Sequence, residues 1–133
     1  MPRHGDNYWL EQLATAVKSA AKTGVIYDGD TAVTPKFAAI AASSSGDNSV
    51  VSAVTGKKIR VLAYALVASG AVNAKWRSAT TDKTGLLYLV ANTGVATANS
   101  PVGLFETAVN EALNLNLSGA VAVGGHLVYI EVS

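Results

Sequence analysis

Leu113-Asn114-Leu115-Asn116-Leu117 decides the fold class. Successive side chains of a strand point to opposite faces, so the leucines share one face and the asparagines the other. Val72-Asn73-Ala74-Lys75-Trp76-Arg77 alternates in the same way, and Trp76, on the face of Val72 and Ala74, is expected in the core. Half-buried strands of this kind belong to antiparallel sheets with one face on the core and one in water.

Outward from these two runs, the period-two pattern holds from residue 36 to the end. Short stretches rich in Val, Leu, Ile and Tyr are separated by Gly, Asn and Ser. Counting them gives about eight strands, at 36–42, 49–54, 58–68, 72–79, 85–91, 103–108, 113–117 and 126–132. So many short strands must close or double to hide their apolar faces and edges, which leaves a sandwich, a jelly roll or a small barrel. A jelly-roll antiparallel β-sandwich is the expectation, and the lack of repeated βαβ units argues against a nucleotide-binding parallel sheet. The runs 59–68 and 86–91 are apolar on both faces. In a lone sandwich such an outer face would be wet, so a second subunit or the N-terminal segment is its natural cover; longer buried strands within a monomer are the alternative.

The start of the chain reads differently. From Asn7 to Lys22, the residues Leu10, Leu13, Ala14, Val17 and Ala21 recur at steps of three and four, with Glu11, Gln12, Lys18 and Lys22 elsewhere. This spacing predicts an amphipathic helix capped by Asp6 or Asn7 and stopped near Gly24; an extended arm anchored by Tyr8 and Trp9 uses the same residues. Asp28-Gly29-Asp30 and Pro35 mark a connector. The expected division is therefore an N-terminal helix or arm with its connector over 1–34, and a β domain over 35–133.

Composition narrows the function. At 133 residues the chain has the length of one domain. It has no cysteine, which excludes disulfides, thiolate metal sites and cysteine nucleophiles and suits a reducing cytoplasm. Only 14% of residues are charged, against about 25% in a typical soluble domain. Ala, Val, Ser, Thr, Asn and Gly take their place, residues that enter a subunit interface without the desolvation cost of Lys or Glu. A formal net charge of +1 supplies no field to steer nucleic acid or an anionic membrane, so neither is an expected partner. The first residues lack the pattern of a signal peptide, and no apolar run reaches the roughly 20 residues of a membrane span.

Catalytic constellations are thin. His4 and His126 are the only histidines, in no metal-ligand spacing, so no metal or cofactor is expected. Asp28-Gly29-Asp30 lacks the further oxygen ligands of an EF-hand loop. Ser43-Ser44-Ser45-Gly46-Asp47 lacks a nucleophile elbow, and the glycines at 119 and 124 precede Gly125-His126 where a phosphate loop needs Lys and Ser or Thr. Lys57-Lys58-Ile59-Arg60 reads as a solvated strand edge guarded by lysine rather than a phosphate contact. Glu106 and Glu111 are the acid pair a glycosidase-like hydrolase would use, a minor alternative, and the chain is expected to be non-enzymatic.

Several short motifs in the last two thirds go together. Gly56-Lys57-Lys58-Ile59-Arg60-Val61-Leu62, Gly85-Leu86-Leu87, Pro101-Val102-Gly103-Leu104-Phe105-Glu106-Thr107, Glu111-Ala112-Leu113-Asn114-Leu115 and Leu127-Val128-Tyr129 follow in that order. This order, across 50–132, resembles a module of virion proteins of tailed bacteriophages, which includes jelly-roll capsid decoration (cement) proteins and related head or tail appendages. The resemblance implies a non-enzymatic homotrimer on the capsid surface of a virion, made in the host cytoplasm. Its partners would be itself and the major capsid protein, which it would stabilise by bridging capsomers. Tyr8, Trp9, Leu10, Leu13 and Val17 are then the expected capsid-contacting or subunit-bridging residues. The alternative is a tail or head-fibre module that attaches to host-surface glycan, with Tyr27, Tyr64 and Tyr88 as its aromatic candidates.

Overall fold

Alternating burial carries the strands into two antiparallel sheets. The computed structural model describes residues 11–12 and 25–133. Along the chain the strands are β1 (Ile26–Asp28), β2 (Thr31–Val33), β3 (Lys36–Ala42), β4 (Gly46–Val51), β5 (Lys58–Ala68), β6 (Val72–Ser78), β7 (Thr81–Asp82), β8 (Leu87–Leu89), β9 (Thr93–Ala96), β10 (Phe105–Glu106), β11 (Leu113–Leu117) and β12 (Val123–Val132). In the first sheet β12 lies between β3 and β5, and the far edge of β5 carries β9 and β10 end to end. In the second, β11 lies between β4 and β6, and β6 carries β7 and β8.

The sheets share one core. Leu113, Leu115 and Leu117 are each at most 1% exposed, and Trp76 is fully buried with Val72 and Ala74, as the alternation requires. Burying each leucine stabilises the fold by about 2 kcal/mol. From the first sheet come Ile40, Ile59, Val61, Leu66 and Leu127. Tyr64 of β5 meets Trp76 of β6 edge-on at 5.3 Å between centroids, and Phe105 of β10 closes the aromatic group at 5.9 Å from Trp76.

A bulge explains the run that is apolar on both faces. Opposite Val128 and Tyr129, the register of β5 slips by one residue. Ile59 and Val61 point inward before it and Tyr64, Leu66 and Ala68 after it, while Leu62 is left facing outward. There Leu62, Ile130 and Val132 are roofed by Ile26 and Val33 of the β1–β2 hairpin.

That hairpin corrects the reading of 25–34 as a plain connector. Asp28-Gly29-Asp30 does turn the chain, with Gly29 at φ 61°, but it joins two paired strands. Three expected strands are shorter or shifted: 85–91 shrinks to β8, 103–108 to β10, and 49–54 becomes β4. The last strand starts at Val123, three residues before the expected start at His126. β9 is an addition, seeded where Asn92, at φ 61°, and Thr93 turn back toward β5. Lys58 and Arg60 sit on an interior strand rather than a free edge. Of the expected N-terminal helix or arm only Glu11 and Gln12 are described, both helical and exposed. Tyr8, Trp9, Leu10, Leu13 and Val17 lie outside the described residues.

Candidate interaction surface

Each sheet has a face turned away from the core, and the two differ in kind. On the second sheet, Asp47, Asn116 and Lys75 form one row across β4, β11 and β6, and Ser49, Asn114, Arg77 and Asp82 form the next. Arg77 pairs with Asp47 at 3.1 Å and with Asp82 at 2.9 Å, Lys75 reaches Asp82 at 3.0 Å, and the Asn116 amide donates to Asp47 at 2.8 Å. The Lys75 hydrogen bond first, with the charges of Lys75 and Arg77 adding to it, holds the Asp82 carboxyl below its ordinary range. Across β4, β11, β6 and β7 this is a solvated ionic face, with exposed Tyr88 of β8 at its far end.

The outer face of the first sheet carries no ionic side chain above the hairpin. Register places Phe37, Val128 and Ala63 in one row, Ala39, His126, Ala65 and Ala96 in the next, and Ala41, Gly124, Val67 and Gly94 in a third. Phe37 is 79% exposed and Val67 53%. Ala39, Ala41, Gly94, Ala96, Gly124 and His126 are exposed as well. At its upper end the surface deepens into an open concavity of about 480 Å³ between Ala41, Val67 and Gly124, with Ser69 and Asn92 at its margin. Apart from Phe37, Val67, His126 and Val128, the residues of this face are alanine and glycine.

The strands flanking β5 approach it closely. A Cβ at Gly125 would lie 1.9 Å from the Ala65 carbonyl oxygen, and one at Gly94 would lie 1.8 Å from that of Leu66. Only glycine fits on either side of β5 at this level.

The other candidate residues are not gathered. Glu106 accepts from Arg60 at 2.8 Å and faces Lys58 at 3.6 Å, whereas Glu111 accepts the Ser78 hydroxyl at 2.6 Å; each acid is tied to a separate structural partner. Ser78 in turn receives the Ala108 amide, so the Glu111 contact fastens the loop before β11. Tyr64 is in the core, Tyr27 is on the hairpin over the first sheet, and Tyr88 is on the outside of the second, so the three make no common groove. Lys57 leads into β5 beside a turn held by the Asn110 side chain, 2.6 Å from the Gly56 amide. Among the described residues, no group of three or more His, Asp or Glu side chains is placed to hold a metal ion, and no helix is long and apolar enough to cross a membrane.

Sequence reading missed where the bare face is. The signal was the alternation in Phe37-Ala38-Ala39-Ile40-Ala41-Ala42, whose outward set is as apolar as its inward one. Comparison with protein families, curated proteins and solved structures finds no match for this chain.

Proposed function

We propose that the protein is a structural component of a tailed-phage particle, a jelly-roll decoration protein that binds the assembled capsid as a homotrimer and clamps neighbouring capsomers. The observation that carries the reading is the charge-free outer face of the first sheet. A water-facing sheet normally carries polar side chains, as the second sheet does, and large exposed apolar patches mark interaction sites. Dehydrating alanine, glycine and valine involves no desolvated charge, so this face suits permanent contact with protein.

Strand order supports the jelly-roll part. β3 pairs with β12, β4 with β11, β5 with β9 and β6 with β8, the rungs of one long hairpin whose turn lies between β6 and β8. Wrapped on itself, such a hairpin gives two sheets ordered β3-β12-β5-β9 and β4-β11-β6-β8. The phage reading adds the motif order across 50–132 and the scarcity of ionic residues. Stabilisation would follow from mass action, because a protein that binds only the assembled shell favours that shell, and three linked subunits raise one another's effective concentration.

The test is electron microscopy of particles with and without the protein, beside sedimentation of the isolated chain. Density between capsomers and a trimeric mass are expected. Density at the tail alone, or a monomer that ignores shells at high concentration, would refute the decoration reading.

A further inference from the structure

We propose that the segment carrying Leu10, Leu13, Ala14, Val17 and Ala21 covers the charge-free face, and that in the trimer each subunit's segment lies on its neighbour. The identity of the cover stands on the geometry below; its crossing to a neighbour rests on the trimeric reading above.

The hairpin shows where that segment starts. Its tip is at the foot of the sheet, where the Asp28 carboxylate accepts the Ser133 amide at 2.8 Å. Its open end, at Ile26 and Val33, packs on the cluster of Leu62, Ile130 and Val132. Val25 therefore stands near the level of Ile130, just below the first uncovered row, Phe37-Val128-Ala63. The hairpin already roofs the lower part of this same face, so a cover for the upper part continues an existing contact.

Dimensions and chemistry agree. The three rows rise over four residues, about 13 Å, and span up to four strands, about 14 Å, giving a diagonal of about 19 Å. As a helix, Leu10 to Ala21 would be about 17 Å long. Its apolar stripe contains no charge, while Glu11, Gln12, Lys18 and Lys22 fall outside it, and Glu11 and Gln12 are exposed. The floor is mostly alanine and glycine, with His126 in its middle row and Phe37 and Val67 standing above the first and third rows. A matching face from a second copy is a weaker occupant for a trimer, because two identical faces meet about a twofold axis and cannot close three subunits. A segment reaching from one subunit to the next is head-to-tail and can close a ring.

The experiment uses the full-length chain, with trypsin cleavage after Lys18 and Lys22 read by mass spectrometry and assembly read by sedimentation. Ala39→Glu with Val67→Glu charges the face, Leu13→Glu with Val17→Glu charges the segment, and Ser49→Glu on the opposite sheet is the control; melting curves verify that each variant is folded. Cleavage at both lysines should be slow in the parent and control, and at least tenfold faster in both double variants, with loss of the trimer. Equal, rapid cleavage in parent and variants would overturn the proposal, and would do so even if the trimer persisted. Slow cleavage that both double variants accelerate, in a parent that is monomeric throughout, would refute the trimer and the crossing while leaving the segment as the cover of its own subunit.

Discussion

The two outer sheet faces are built by the same rule and end up opposite in character. Both consist of the alternate residues of four-strand-wide sheets on a common core, yet one carries Asp47, Lys75, Arg77 and Asp82 in mutual contact, and the other, above the level of the hairpin and of the Arg60–Glu106 pair, carries His126 among Ala, Gly, Val and Phe. The fold dictates which residues point inward and leaves the outward set free. Ion pairs on the second sheet would lose solvation if buried against a partner, so that face belongs to water. The first face sheds water at little cost, so its composition is not dictated by folding and fits the proposed contact with protein.

The largest expected effect tests how closely the strands beneath the bare face approach one another. At Gly125 an added Cβ meets the Ala65 carbonyl oxygen at 1.9 Å, whereas at the adjacent Gly124 the nearest atom, the Ile40 oxygen, is 3.8 Å away. Gly125→Ala must push β12 from β5 and should cost about 3 kcal/mol or more. Gly124→Ala points into open space and should stay within about 0.5 kcal/mol. Urea midpoints of the two variants measure the difference; equal effects would show that β12 and β5 are not held as closely at Gly125 as their register places them.

How much of this contrast was legible beforehand depends on the kind of signal. Leu113-Asn114-Leu115-Asn116-Leu117 and Val72 to Arg77 announced both the strand and the wet face, because polar and apolar residues alternate there. The bare face was legible only as an anomaly, a run from Ile59 to Ala68 with apolar residues on both sides, and its inversion at Leu62 needs a bulge that no local pattern announces. Nor could spacing reveal that Asp28-Gly29-Asp30 tips a hairpin, since the contacts that hold it, from Leu62, Ile130 and Ser133, come from distant parts of the chain. Glu111 drew attention as an acid, and its role as a loop fastener depends on Ser78, 33 positions away.

The next test concerns the core that both faces share. Burial pushes the Tyr64 hydroxyl up from its ordinary value, with the Trp76 indole pulling the other way. A group whose proton is held more firmly in the folded chain contributes stability that is complete below its unfolded value, about 10 for tyrosine, and is lost as pH rises through the folded value. The Lys36 ammonium, raised by its hydrogen bond to Glu131, acts in the same direction from an exposed position. The melting temperature should therefore fall on the alkaline side, and Tyr64→Phe should flatten that fall. Thermal melts of both proteins between about pH 9 and pH 12 decide it. An unchanged alkaline slope would remove Tyr64 as the titrating group and leave the surface lysine.

The smallest effects belong to the ionic face, and their smallness is the point. Asp47→Asn weakens the pair with Arg77 and the contact from Asn116, and partly exposed pairs of this kind contribute about 0.5 kcal/mol. The loss should shrink further in about 1 M salt, where the screening length falls to roughly 3 Å. Asp82, held below the usual carboxylate range, adds stability that is present above the unfolded value near 4 and fades as pH falls through the folded one, so acid should loosen this face before the other. Chemical denaturation at low and high salt, and at neutral and acid pH, measures both. A penalty above about 2 kcal/mol for Asp47→Asn, insensitive to salt, is beyond what a solvated pair supplies. It would make the ionic lattice a structural brace, and the difference between the faces would then describe how each sheet is held rather than what each one meets.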